Sequence, residues 1–258
     1  MINISIITVT YNAGTTLKRT LDSIVAQNAR NFEHVIVDGQ SADNTLEIIH
    51  QYMSENPDIS VKLVSEPDKG LYDAMNKGLR MAEGQFVCFM NAGDKLHEEN
   101  VLSEIGALIA NAGNGSGIPG VIYGETDIVD ASGRFIAHRR LKTPDRLSWK
   151  SFKMGMMVCH QSFYANREIT PEYNLDYRFS ADFDWCVRVM KDADRKGLPL
   201  VNTHMILTDY LDEGMTTKNH KQSLKERFDI MSVHYGLIPT VCRHVWFFIR
   251  NIFSKHTN

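Results

Sequence analysis

One short apolar run constrains the fold of this 258-residue chain more than any other stretch. Phe86 to Met90 carries only apolar side chains and lies between Gly84 and Gly93. Such a run is typical of a strand that is covered on both faces, as in the sheet of an α/β protein. Ligands of open α/β sheets bind beyond the carboxyl ends of the strands, which is where Asp94 lies. The sequence therefore predicts a buried central strand that leads to an acidic residue.

Asp94 has two interpretations. A carboxylate at a strand end suits a divalent cation bound to a phosphorylated ligand, because hard cations take carboxylate and phosphate oxygens. Alternatively, Asp94 caps a helix, since the segment Asp-Lys-Leu-His-Glu-Glu that it begins also resembles a helix start.

Strands and helices alternate along the first half of the chain. The predicted strands are Ile2–Val9, Glu33–Val37 and Val61–Val64, and the predicted helices start at Thr15 or Thr16, at Asp43 or Asn44, and at Val101. This alternation predicts a mostly parallel α/β sheet with helices on both faces. The strand from Val121 and its hairpin partner Phe135–His138 predict a mixed sheet in the second half.

Composition excludes several classes of protein. The net charge of -3 gives no electrostatic basis for binding nucleic acid. The four cysteines are widely spaced without a CxxC pair, which favours a reducing compartment. No GxGxxG or GxxxxGK[ST] motif is present, which disfavours Rossmann dehydrogenases and P-loop enzymes. No secretory signal or membrane-spanning stretch is visible, so we expect a cytoplasmic protein.

Two clusters in the second half carry candidate site residues. Cys159 to Tyr164 resembles a strand, which would place His160 and Gln161 on opposite faces. Ser180 to Trp185 opens a helix, and Asp182 lies near its N-terminus as either a cap or a catalytic carboxylate. Trp185 is expected in the core.

The motifs together resemble glycosyltransferase family 2, in its bacterial polysaccharide-biosynthesis branch. The resemblance rests on their order and spacing: Thr10-Tyr11-Asn12, Asp38 to Thr45, Asp68-Lys69-Gly70, Asn76-Lys77-Gly78, Asn91-Ala92-Gly93-Asp94, His160-Gln161 and Ala181 to Asp184. It implies the GT-A fold over residues 1–218 and an inverting transfer from a nucleotide-sugar donor, with UDP favoured, to a saccharide or lipid-linked acceptor.

The resemblance also implies a role for each motif. Asp182 would be the general base, and Asp94 would bind Mn²⁺ or Mg²⁺. His160, Gln161 and Asp184 would line the acceptor site, although His160 and Asp184 also have structural interpretations. The residues expected at the nucleotide are Thr10, Tyr11, Asn12, Asp38, Ser41, Asp68, Lys69, Gly70, Asn76, Lys77, Asn91, Ala92 and Gly93. The loop from Asp212 to Thr217 would close over the donor.

Two positions depart from the family pattern. Asn91 replaces the first acidic residue of the DxD motif, and Met75 replaces an arginine. They motivate one alternative, a paralogue that binds nucleotide sugar without transferring it. A nucleotidyltransferase is a further alternative, which the absence of a basic residue in Thr10 to Gly14 disfavours. His204 and His220 are additional candidate metal ligands.

Residues 219–258 are predicted to form a C-terminal helical extension. The tail from Val241 to Lys255 is aromatic and basic, so it suits peripheral contact with a membrane. Packing on the domain itself or on a second subunit of a homo-oligomer is the alternative.

Overall fold

A mixed sheet of nine strands forms the centre of the residues that the structure describes. The computed structural model describes residues 3–112, 117–212 and 220–254, with the backbone alone for 220 and 248–254. The strands are β1 (Ile4–Thr10), β2 (Phe32–Asp38), β3 (Ser60–Ser65), β4 (Phe86–Phe89), β5 (Lys95–Leu96), β6 (Val121–Val129), β7 (Phe135–His138), β8 (Phe163–Asn166) and β9 (Leu200–Leu211). The helices are α1 (Leu17–Val25), α2 (Thr45–Glu55), α3 (Leu71–Met81), α4 (Val101–Ala112), α5 (Ala181–Lys196), α6 (His220–Tyr235) and α7 (Leu237–Ser254).

The sheet changes from parallel to mixed at β4. Its strand order is β3-β2-β1-β4-β8-β6-β9-β5, with β7 paired to β6. Strands β1 to β4 pair in parallel, whereas β8 runs antiparallel to both β4 and β6. The predicted α/β architecture, parallel first and mixed later, is confirmed.

Adjacent residues of β4 pack against two different helix layers, because side chains alternate across a strand. Val87 and Phe89 join the core beneath α3 and α5, which includes the fully buried Trp185. Phe86 and Cys88 join the opposite core beneath α1, α2 and α4. The apolar run therefore lies between two cores, as its composition predicts.

Two local interpretations are wrong, and two strands were missed. Asp94 does not cap a helix, because Lys95–Leu96 extends to pair with β9 and α4 begins only at Val101. His160 and Gln161 lie in a 3-10 turn, His160–Ser162, so they are not on opposite faces of a strand. The long strand β9 and the short strand β5 were not predicted, because neither has a regular apolar alternation.

The helix α6 is part of the domain core. Its Ile230 and Met231 belong to the apolar cluster beneath α5. The predicted domain boundary at residues 218 and 219 lies outside the described residues, as does the predicted closing loop beyond Asp212. Among the helices that are described, none is both long and apolar enough to cross a bilayer.

His34 is an imidazole buried inside the sheet. Its Nδ1 lies 3.0 Å from the Tyr52 hydroxyl oxygen and its Nε2 lies 2.9 Å from Thr8 Oγ1. Burial lowers the pKa of His34 from 6.5 to about 3. The folded protein therefore holds a neutral histidine, whereas the unfolded chain protonates it below about pH 6.5.

We expect this histidine to make the fold acid-sensitive. Between pH 6.5 and 3 the unfolded state binds one more proton at His34, so stability falls as pH falls. Between pH 6.5 and 5 the free energy of unfolding should drop about 2 kcal/mol more in the wild type than in His34→Gln. Urea unfolding at several pH values measures this difference in free energy. The control is His50→Gln, which replaces an exposed histidine. Equal pH dependence in wild type and His34→Gln would contradict the assignment.

Candidate active site

The carboxylate of Asp38 joins three loops at the carboxyl end of the parallel strands. Its Oδ1 accepts hydrogen bonds from Thr10 Oγ1 at 3.0 Å and Ser41 Oγ at 2.5 Å, and its Oδ2 from Ser41 N at 2.9 Å and Ser65 Oγ at 2.7 Å. Burial favours a higher pKa for Asp38, but these hydrogen bonds, led by those from Ser41, hold its pKa below the ordinary value. Asp38 is thus an ionised anchor for the strand ends.

Tyr11 and Asp68 both lie close to Gly39 at this edge. A β-carbon at Gly39 would be 2.4 Å from Asp68 Oδ2 and 3.3 Å from Tyr11 Cδ2. The Tyr11 side chain is 68% exposed, so its ring is available to flank a base. Asn12 fixes the loop, because its Oδ1 accepts a hydrogen bond from Ala42 N at 2.9 Å and its N donates to Ser41 Oγ at 2.8 Å.

The segment that was expected along the pyrophosphate makes mostly protein contacts. Asn76 is buried and exchanges two hydrogen bonds with the backbone of Tyr173, at 3.0 and 2.7 Å. Lys77 Nζ donates to Pro67 O at 2.6 Å and pairs with Glu66 at 3.0 Å. In contrast, the Lys69 side chain is exposed and forms no ion pair with a described residue. The nucleotide roles of Asn76 and Lys77 stay predictions.

Asp94 is buried at the same edge of the sheet, in the segment after β4. Its Oδ2 accepts a hydrogen bond from Gln161 Nε2 at 2.7 Å and its Oδ1 from Leu211 N at 3.0 Å. Burial raises the pKa of this carboxyl to about 6, against the opposing effect of the two hydrogen bonds. Gly93 takes a positive φ of 103° where its backbone passes Thr16 and Leu211, which permits the tight turn before Asp94.

Asp182 lies in the first turn of α5 and is joined to Asp94 through neighbouring residues. His160 Nδ1 lies 3.4 Å from Asp182 Oδ2, and the next residue, Gln161, donates to Asp94. The Tyr72 hydroxyl donates to Asp182 Oδ1 at 3.2 Å. One 3-10 turn therefore connects the two carboxylates that the sequence predicts to act on opposite sides of the reaction.

His160 lowers the pKa of Asp182. Burial alone would raise it, but the close contact with His160 outweighs burial and holds the pKa below its ordinary value. Asp182 retains 16% exposure of its side chain. It is therefore an ionised carboxylate that solvent or an acceptor hydroxyl can reach.

Asn91 completes the chain of contacts. Its Nδ2 lies 3.3 Å from His160 Nε2, while its Oδ1 is buried without a hydrogen-bond partner among the described residues. An unpartnered carbonyl oxygen is a suitable ligand for a hard cation, which takes amide as well as carboxylate oxygens. In the described part of the chain, no group of three or more His, Cys, Asp or Glu side chains is arranged to hold a metal ion.

Asp184 contacts a histidine and an arginine. Its Oδ1 lies 2.7 Å from His234 Nε2 on α6, and its Oδ2 accepts from Arg188 Nε at 2.7 Å. Burial favours a raised pKa, but these contacts hold the pKa of Asp184 low. They give Asp184 a structural role between α5 and α6, while its predicted acceptor contact stays a prediction.

Glu226 of α6 is a residue that the sequence did not single out. Its carboxylate accepts hydrogen bonds from the backbone N–H groups of Arg178, Phe179 and Ser180, at 2.9, 2.7 and 2.9 Å. These groups immediately precede α5, whose N-cap Ser180 makes no side-chain capping bond of its own. Glu226 thus provides the missing cap from a distant helix. No local pattern signals it, because the partners are more than forty residues apart.

His204, one of the two additional metal-ligand candidates, makes none of these contacts. His204 is 68% exposed and its Nδ1 lies 4.0 Å from Asp145. The side chain of His220 lies outside the described residues. Met75, at the position of the family arginine, is fully buried in the core.

Comparison with known proteins decides the family. The family described as Glycosyl transferase family 2 matches residues 5–170. The chain belongs to glycosyltransferase family 2. The matched region contains the strand-end loops, Asp94 and the turn with His160 and Gln161. Asp182 and Glu226 lie beyond it.

Relatives of this glycosyltransferase take part in the biosynthesis of bacterial glycolipids and polysaccharides. A PGL/p-HBAD biosynthesis glycosyltransferase of Mycobacterium tuberculosis is 32% identical over 215 residues, which cover 81% of this chain and 77% of the relative. The amylovoran biosynthesis glycosyltransferase AmsB of Erwinia amylovora is 28% identical over 219 residues, covering 80% of this chain and 70% of AmsB.

Solved structures place the glycosyltransferase in the GT-A fold. Staphylococcus aureus TarS 1-349 in complex with UDP-GlcNAc superposes with a TM-score of 0.71 at 17% identity, covering 99% of this chain and 76% of TarS 1-349. The mannosyltransferase PcManGT of Pyrobaculum calidifontis, in complex with GDP-Man and Mn²⁺, superposes with a TM-score of 0.62 at 16% identity, covering 93% and 73%.

Proposed function

We propose that this enzyme transfers a sugar, with inversion, from a UDP-sugar to a hydroxyl of a saccharide or lipid-linked saccharide in surface-polysaccharide biosynthesis. The observation that carries the proposal is the connection of Asp94 and Asp182 through His160 and Gln161. Inverting transfer needs a base on the acceptor side and a separate site for the leaving diphosphate, and the two carboxylates provide two such positions.

In the proposed mechanism Asp182 accepts the proton of the acceptor hydroxyl. The acceptor oxygen forms a bond to the anomeric carbon on the face opposite the leaving group, and the bond from that carbon to the phosphate oxygen breaks. The low pKa of Asp182 keeps it ionised and ready to accept the proton at neutral pH. Tyr72 and His160 hold its two oxygens in place.

The residues fit a divalent cation that is held mainly by the donor diphosphate. Asn91 Oδ1, which has no partner, and Asp94 would be the protein's oxygen ligands. Such an ion neutralises the charge that develops on the leaving diphosphate. Lys69 is exposed and belongs to the segment that is predicted to run along the pyrophosphate of the donor. Tyr11, Asp68 and the loop of Asn12 and Ser41 would form the base and ribose site.

We infer a cytoplasmic location for this reaction. All four cysteines, which lie in the described part of the chain, are free thiols. Free thiols persist in a reducing compartment.

Calorimetric titration with UDP, GDP and dTDP, with and without Mn²⁺, tests the donor site. We expect UDP to bind in a Mn²⁺-dependent manner and Asp94→Ala to weaken that binding about tenfold or more, because one of few protein oxygens at the ion is lost. Asp94→Asn, which keeps the shape of the side chain, separates loss of charge from loss of packing. The control is Asp58→Ala, a remote surface carboxylate paired with Arg30.

Failure of all three nucleotides to bind the wild type would overturn the proposed donor site. The stereochemistry is tested separately by NMR. The transferred sugar should have the anomeric configuration opposite to that in the donor, as read from its anomeric coupling constant. Retention of configuration would contradict a single displacement.

A further inference from the structure

The helix α7 exposes a continuous apolar face. Leu237, Ile238, Val241, Val245 and Trp246, here called the apolar stripe, are between 43% and 77% exposed. Their spacing of one, four, eight and nine residues from Leu237 spreads them over about half of the helix circumference. Large side chains so exposed and so contiguous are characteristic of a surface with a partner.

The remaining half of the α7 circumference is already in use. Thr240 is fully buried, and His244 lies edge-on against Phe228 of α6, with ring centroids 5.1 Å apart. The helix is therefore held on the domain by one face and presents the apolar stripe on the other. Packing on its own domain, one of the predicted alternatives, accounts for the first face only.

Three lysines surround the junction between α6 and α7. Trp149 stacks on Tyr235, the last residue of α6, with centroids 5.7 Å apart. Lys191 Nζ lies 4.9 Å and Lys150 Nζ 5.5 Å from the Trp149 ring centroid, and Lys153 Nζ lies 5.5 Å from that of Tyr235. None of these lysines, here called the lysine cluster, forms an ion pair with a described carboxylate. The turn that carries Lys150 and Lys153 packs against α7.

We propose that the apolar stripe and the lysine cluster form a docking surface for an anionic lipid bilayer. The charge near the stripe selects this partner, because residues 237–247 contain Arg243 and no aspartate or glutamate, and Lys150 and Lys153 lie beside the start of α7. A helix that combines an exposed apolar face with neighbouring cations lies in the membrane interface, with its cations at lipid phosphates. A symmetric dimer through this helix would instead bring the cations of the two copies together. The proposal extends the proposed function to the surface where a lipid-linked acceptor would be.

Cosedimentation of the full chain with vesicles tests the surface. We expect binding to vesicles of phosphatidylcholine mixed with phosphatidylglycerol, weakened by added salt, and much weaker binding to phosphatidylcholine alone. Ile238→Ser should weaken binding about tenfold or more. The matched control is Ile136→Ser, an isoleucine of β7 that is 50% exposed. Lys150→Gln and Lys153→Gln should each weaken binding about fivefold, and only on anionic vesicles.

Fluorescence locates the contact on the molecule. Binding should shift tryptophan emission to the blue, and Trp246→Phe should remove most of that shift while retaining binding. Absence of binding to anionic vesicles, or equal loss in Ile238→Ser and Ile136→Ser, would overturn the proposal. A concentration-dependent dimer that Ile238→Ser abolishes, without vesicle binding, would instead assign the stripe to a second copy. Neither donor nor acceptor enters these assays, so failure here is distinct from failure of the proposed glycosyl transfer.

Discussion

Replacing Asp182 by asparagine should lower kcat for glycosyl transfer by about 10²- to 10⁴-fold. The amide keeps the shape of the carboxylate and its position beside Tyr72 and His160, but it cannot accept the acceptor's proton. Affinity for the nucleotide should stay within about twofold, because the strand-end loops are unchanged. Steady-state transfer assays combined with nucleotide titration measure both quantities.

The control for this variant is Asp192→Asn on the same helix, where the carboxylate pairs with Arg195 at the surface. It should retain full activity. The wild-type pH profile provides a second check, since the lowered pKa of Asp182 leaves the base ionised from neutral to mildly acidic pH. An Asp182→Asn enzyme within about tenfold of wild type would show that another group takes the proton.

Replacing Glu226 by glutamine should reduce stability and activity together. The amide can direct its oxygen at Phe179 and Ser180, but its NH₂ group then faces the N–H of Arg178, and the charge of the carboxylate is lost. One unsatisfied donor and a weaker, neutral acceptor cost about 1 to 3 kcal/mol of unfolding free energy. The loosened start of α5 carries Asp182, so kcat should fall about tenfold to a hundredfold, since small misplacements of a reacting group are costly.

Urea unfolding and kinetics well below the unfolding midpoint separate the two effects of Glu226→Gln. Asp229→Asn, an exposed carboxylate on α6, is the control and should change neither. Nucleotide affinity should be preserved in both variants. A folded Glu226→Gln enzyme with wild-type kcat would show that the cap stabilises α5 without positioning Asp182.

The local sequence pattern was sufficient to predict those strands and helices in which buried residues are continuous or recur periodically. The run from Phe86 packs on both faces, and α4 starts and ends at Val101 and Ala112 as predicted. The strand-end positions of Asp38 and Asp94 also follow from local pattern, because carboxyl ends of parallel strands share one edge. The prediction failed at β9, whose long irregular sequence is held by pairing with β6 and β5.

The sequence by itself determined an α/β sheet with acidic residues at the carboxyl ends of its strands, and the order of its motifs implied the GT-A fold through their resemblance to glycosyltransferase family 2. The sheet and its strand ends depend on residues that are neighbours along the chain. Only the tertiary structure decided that His160 and Gln161 connect Asp182 to Asp94, and that Glu226 caps α5. Both arrangements depend on contacts between residues more than twenty positions apart. Hydrogen bonds across such distances leave no periodicity, because only folding brings their donors and acceptors together.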